Sequence, residues 1–128
     1  MGNRAVIQFG KSNDAIGIYL HWNGGRDSVN AFLQVAKDYN CRCDEYAPAR
    51  LCQIIGNFFG GTLSLGCGLA RNMDRDNGDN GTYVIGDNWN ILTRLHHNGT
   101  EQTHHKLDEM VTAIKEKNNM HFLEKEPA

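Results

Sequence analysis

The segment His21-Trp22-Asn23-Gly24-Gly25-Arg26-Asp27 concentrates the residue types that hold an anion. Apolar alternation runs up to Trp22, two glycines follow, and a helical repeat begins after Arg26, so the segment reads as a strand-to-helix turn. The first amides of a helix have no internal partner and carry the positive end of its dipole. Glycines admit a ligand close to the backbone, Arg26 offers a bidentate fork, His21 a donor and Trp22 a stacking face. His21, Asn23, Gly24, Gly25 and Arg26 together suit a phosphate with an adjoining base or ribose. The segment is neither a Walker loop nor a GxGxxG turn. An ordinary β-to-α turn that uses Asn-Gly-Gly for positive φ accounts for the same residues.

Three other groups bear chemistry. Tyr83 with Asn88, Trp89 and Asn90 could read a purine, the ring stacking and an amide bonding the base edge; equally, Asn88 fills a turn and Trp89 a core position. Asp74, Asp76 and Asp79 invite a calcium reading, but Gly78 stands where the fifth ligand position needs oxygen and no Glu closes the loop. A solvated, mobile loop is expected there. His96-His97, His104-His105 and Cys41-x-Cys43 match no zinc spacing, and neighbouring strand residues face opposite ways. Surface histidines and no metal site are expected. GxSxG, HExxH and local Cys–His signatures are missing. His21 with Asp27 could serve acid–base chemistry, yet no nucleophile accompanies them, so neither catalysis nor a cofactor is expected.

The elements that must position these groups follow from hydrophobic period. Residues 4–9 and 15–22 alternate about a polar loop and predict a β-hairpin. Residues 26–39 switch to helical spacing through Val29, Phe32, Leu33 and Ala36, with Asp27 as N-cap. Pro48 opens a second helix that Gly60-Gly61 ends. Residues 62–65 predict a short inner strand, and Gly66, Gly68 and residues 71–81 a long exposed loop. Residues 82–85 and 89–95 predict a second hairpin, and residues 103–117 a last helix. The order ββααβββα implies an α+β fold, a mostly antiparallel sheet of about five strands packed with three helices. One domain covers residues 1–118, with a polar tail over 119–128.

Charge and composition restrict the partners. The 128 residues carry a formal net charge of -2, which argues against coating a nucleic-acid polymer or an anionic membrane. No apolar run approaches a membrane span or a signal sequence. Cys41, Cys43, Cys52 and Cys67 form no CxxC pair and are expected as free thiols in a cytoplasm, two of them buried.

Residues 3–7, residues 16–29 around Leu20-His21-Trp22-Asn23-Gly24-Gly25-Arg26-Asp27, residues 49–61 and the hairpin residues 79–85 have the look of small phage and prophage proteins. Together they resemble the first Thoeris anti-defence family across most of the chain, by general look rather than by a catalytic motif. The resemblance implies a sponge that sequesters cyclic ADP-ribose signals of bacterial TIR enzymes without cleaving them. It also implies a second site for cyclic oligonucleotides in some members, and a homo-oligomer with pockets between subunits in the host cytoplasm. Family pockets use an aromatic residue and an Asn near the later hairpin, with arginines. By type these correspond to Tyr83, to Asn88 or Asn90, and to Arg50 and Arg71. A nucleotide-metabolising hydrolase built on His21, or a protein that inhibits a host defence factor by direct contact, are the alternatives.

Overall fold

The computed structural model describes residues 2–101 and 104–119. Strands β1 (Ala5–Phe9) and β2 (Ile16–Leu20) form the expected antiparallel hairpin, with Ile7 opposite Ile18. Helix α1 (Arg26–Asp38) buries Val29, Phe32, Leu33 and Ala36, and Asn40 stops it in the left-handed region at φ 58°. Helix α2 (Ala47–Phe59) carries Pro48 in its first turn and ends on Gly60 at φ 79°, a conformation that a residue without Cβ adopts freely. Strands β3 (Leu65–Leu69), β4 (Thr82–Ile85) and β5 (Ile91–Leu95) and helix α3 (Leu107–Asn119) complete the order ββααβββα.

The five strands lie in the order β3-β2-β1-β4-β5. Three of the four pairings are antiparallel, but β1 and β4 run parallel, so the α+β fold holds a mixed sheet. The parallel step arises because α1, α2 and β3 intervene between the two hairpins and return the chain to the free edge of β1. The three helices pack on each other and cover one face of the sheet, where Ala5, Ile7, Ile18, Leu20, Tyr83 and Ile85 meet Phe32, Leu51, Ile55 and Ile114. Asn118 is fully buried and donates to the carbonyls of Ile54 and Ile114, while Tyr39 donates to Asn119. Helix α3 thus runs to Asn119; the rest of the expected polar tail lies outside the described residues, as does the expected helix start at Thr103.

The expected exposed loop is exposed at Arg71, Asn72, Asp74, Asp76 and Gly78, and it also covers part of the opposite face. Val6, Gln8, Thr82 and Val84 point away from the helices and are nonetheless buried. Residues 70–81 fold back across them. Arg75 bonds the Gln8 side chain at 3.2 Å and, through its carbonyl, the Thr82 hydroxyl at 3.1 Å. A Cβ on Gly17 would come within 2.9 Å of Ala70 Cβ and 3.1 Å of Met73 Sδ, so glycine there is the condition for the strap to lie close. Buried Asn77 holds its end, donating to Asp74 and Gly81 carbonyls and accepting from the Asp79 and Gly81 amides. Polarity alone suggested solvent, but these asparagines satisfy backbone that the strap carries inside.

Three local expectations are corrected. The strand expected at residues 62–65 lies at Leu65–Leu69 and on the sheet edge; Gly66 and Gly68, expected in a loop, pair with Tyr19 and Gly17. Trp89 precedes β5 in a left-handed turn at φ 65°, buried, with its indole donating to the Cys41 carbonyl at 2.8 Å. Gly25, not Asp27, occupies the N-cap of α1. No helix among the described residues is long and apolar enough to cross a membrane.

Candidate functional site

One end of the sheet gathers segments that are far apart in the chain. Gly2 and Asn3 precede β1, Gly78, Asp79 and Asn80 precede β4, and His97, Thr100 and His104 follow β5. They line a polar cleft of about 590 Å³, within the roughly 300–1,000 Å³ that small ligands occupy. The turn from β2 into α1 stands beside it: the Asn3 amide donates to the His21 carbonyl and the Gly24 amide to the Asn3 carbonyl, both at 2.8 Å.

His97 is the unusual member. Its side chain is 13 % exposed, yet both ring nitrogens are shut from solvent and make no hydrogen bond among the described residues. Glu101 lies 3.8 Å from Nε2, beyond hydrogen-bond reach, and its carboxylate engages Arg94. Buried polar atoms without partners are uncommon because they forgo water with no return. His97 thus stands in the wall of the cleft with its ring nitrogens turned inward and Glu101 as a neighbouring charged group.

Asp79 brings negative charge to the same wall, but Arg4 faces it. The Arg4 guanidinium donates to Asp79 at 2.8 Å and its backbone amide at 3.0 Å, and this bonding holds the carboxyl below its usual range. Asp27 ties the far rim down. Burial by itself pushes its carboxyl up, but bonds from the backbone amides of His104, Ser28 and His105 outweigh that and hold it low. The segment carrying His104 is thereby pinned over the first turn of α1.

The residues singled out by sequence separate on this frame. Gly24 does not offer its amide to solvent: it is buried, bonded to Asn3, and a Cβ there would lie 2.5 Å from that carbonyl. Its closeness serves the packing of β1 on the turn. Gly25 is buried as the N-cap, and Asn23, left-handed at φ 57°, reaches Ser28 at 3.3 Å. His21 bonds the Tyr19 hydroxyl through Nδ1 at 3.0 Å and packs on Gly2 at the cleft floor. Arg26 is exposed and makes no hydrogen bond or ion pair among the described residues.

Tyr83 is not an open stacking face. It is fully buried, its hydroxyl donates to the Gly24 carbonyl at 2.7 Å, Arg94 lies over its ring at 4.1 Å, and burial drives its phenol far above the usual value. Arg50 lies on α2 against Tyr46, Arg71 pairs with Asp14, Asn88 caps its own turn by accepting from the Asn90 amide, and Asn90 accepts from Lys37. These four belong to other parts of the surface and do not converge with His21 and Arg26.

The histidine doublets also divide: His96 is exposed and left-handed at φ 58°, whereas His97 faces inward. Among the described residues no group of three or more His, Cys, Asp or Glu side chains could hold a metal. All four cysteines are free, but the buried one is Cys41, while Cys67 is exposed on β3. Sequence reading missed Asn3 and Thr100 and took His97 and His104 only as surface histidines, because the nearness of these four depends on the β1–β4 pairing, which no local spacing encodes. The chain matches no family model, no curated protein and no solved structure.

Proposed function

We propose that the protein binds a small cyclic nucleotide signal, a cyclic ADP-ribose isomer, and sequesters it without cleavage, in the manner of a phage anti-defence sponge. The observation that carries this is the polar cleft lined by Asn3, Asn80, Thr100 and His104. The exposed His104 imidazole, the Thr100 hydroxyl and the exposed Arg26 guanidinium, next in sequence to the Asp27 that holds the His104 amide, are donors suited to phosphate and ribose oxygens. The Arg4–Asp79 pair offsets the repulsion that a bare carboxylate would exert on an anion. The lining offers donors and acceptors rather than a nucleophile held against a base, which favours retention of the ligand over its turnover. Its nucleotide identity and anti-defence role rest on the resemblance of the sequence.

The test is direct. The protein is incubated with a cyclic ADP-ribose isomer, freed of unbound ligand, heat-denatured, and the supernatant analysed. Intact ligand in stoichiometric amount is expected. An altered product would establish a hydrolase instead, and an empty supernatant would reject binding and turn attention to a protein target.

A further inference from the structure

Cys52 on α2 and Cys67 on β3 are brought together by the way the helix lies on the sheet edge. In the β2–β3 ladder Cys67 stands opposite Ile18, and Leu65 opposite Leu20. Directly opposed residues of an antiparallel pair share a face, and Ile18 and Leu20 belong to the core beneath the helices. Leu65 and Cys67 therefore point toward the helical layer. Gly56 of α2 faces this part of the strand: a Cβ on it would lie 3.9 Å from Leu65 Cδ1.

Cys52 precedes Gly56 by one turn on the same side of α2. Cys67 follows Leu65 by two residues on the same side of β3. One helical turn advances about 6 Å and two strand residues about 6.6 Å. The short link between α2 and β3 returns the chain along the helix, so these two steps end at the same place. The two thiols share a hydrogen bond there, and both are free. Cys67 is exposed because β3 is the edge of the sheet. Cys52 is half-buried against the core, and a cavity of about 350 Å³ opens beside it along Gln53, Gly60 and Thr62.

We infer that Cys52 and Cys67 are a thiol–disulfide exchange pair, a modification site for small disulfides that closes into an internal disulfide and staples the edge strand to α2. The exposed Cys67 thiolate attacks one sulfur of the small disulfide. That S–S bond breaks, one half leaves as a thiol, and the other half stays on Cys67 as a mixed disulfide. Cys52 then loses its proton and attacks Cys67 Sγ, and the second half leaves as a thiol through the open side. Two protein thiols are oxidised by two electrons, the small disulfide is reduced to two thiols, and the protons given up by the protein pass to them. Burial first, and then the nearness of Cys67, push the Cys52 thiol up to about 12, so the first attack falls to Cys67. Once Cys67 carries the mixed disulfide, its own share of that push is gone. Exposure of one partner keeps the finished bond open to reduction. Neither cysteine lines the polar cleft, and the inference does not rest on the ligand reading.

Incubation of the reduced full chain with oxidised glutathione, followed by mass spectrometry and peptide mapping, tests it. The expected product is lighter by two hydrogens, carries no glutathione, and yields a linked peptide joining Cys52 to Cys67 that dithiothreitol releases. Closing a loop of about 15 residues between groups already seated together should raise the melting temperature by roughly 5–10 °C over the reduced form. Cys52→Ser should stop at the mixed disulfide and keep one glutathione on Cys67, whereas Cys67→Ser should stay unmodified at Cys52. A wild type that retains glutathione on Cys67 overturns the inference. So does a bond to Cys41 or Cys43, a bond between two chains, no reaction at all, or an oxidised form that melts no higher than the reduced one. If a serine variant does not fold, the wild-type peptide map decides alone.

Discussion

The Tyr83 hydroxyl donates to the Gly24 carbonyl at 2.7 Å, joining the middle of β4 to the turn that starts α1 across 59 residues of chain. Removing that oxygen leaves the ring packed under Arg94 and strands a buried carbonyl. Tyr83→Phe should lower stability by about 1–3 kcal/mol, the usual penalty for an unsatisfied buried group. Urea denaturation with an unchanged m-value would check it.

Gly24 makes the same junction from the other side. A Cβ would lie 2.5 Å from the Asn3 carbonyl and 2.8 Å from Ala5 Cβ. Gly24→Ala should therefore destabilise by about 1–3 kcal/mol through overpacking, read as a lower melting temperature. Gly66→Ala, whose Cβ would meet only Tyr19 Cβ at 3.5 Å, should be milder by comparison.

Ligand binding should divide the polar residues by place and not by type. His104→Ala and Arg26→Ala should each weaken binding of a cyclic ADP-ribose isomer about ten- to hundredfold, the loss of one charge-assisted hydrogen bond. Arg50→Ala, Arg71→Ala and Asn90→Ala, all remote from the cleft, should leave it unchanged. Calorimetric titration of the five variants would show the division; equal losses throughout would move the site elsewhere.

Acid should loosen the site through Asp27 and Asp79. Both carboxyls are held low in the folded chain, so the unfolded chain takes up protons first as pH falls. Their stabilisation is complete above the unfolded carboxyl value of about 3.9 and is lost as pH drops from there through the lower folded values. Urea midpoints measured down this range should fall less steeply in Asp27→Asn, which already lacks one of the two contributions.

Thiol labelling should be selective. Burial pushes the Cys52 thiol up to about 12, with neighbouring Cys67 adding to the shift, and thiolate is the reactive form. Cys67 is exposed, so a soluble alkylating reagent should modify Cys67 in the native protein well before Cys52. Peptide mapping after brief exposure would show the order, and equal labelling of the two would contradict it.

Much of the scaffold was legible before any coordinates. Val29, Phe32, Leu33 and Ala36 repeat at helical spacing because one stripe of a helix must be buried, and Ile16, Ile18 and Leu20 alternate because successive strand residues face opposite ways. Pro48, Asn40 and Gly60 mark helix ends through their own backbone preferences. Such signals act within a few residues, so the amino-acid order alone determines the elements, their sequence along the chain and the α+β class. The β1–β4 pairing, the strap that Asn77 binds over the second face, and the meeting of Asn3, Asn80, His97 and His104 join residues many positions apart. Their partners are chosen by which surfaces bury apolar area and satisfy backbone groups together. That choice turned Gly24 from an open anion cradle into a packed junction and Tyr83 from a stacking face into its pillar, and it set His97 in the wall of the cleft with its ring nitrogens closed off from solvent.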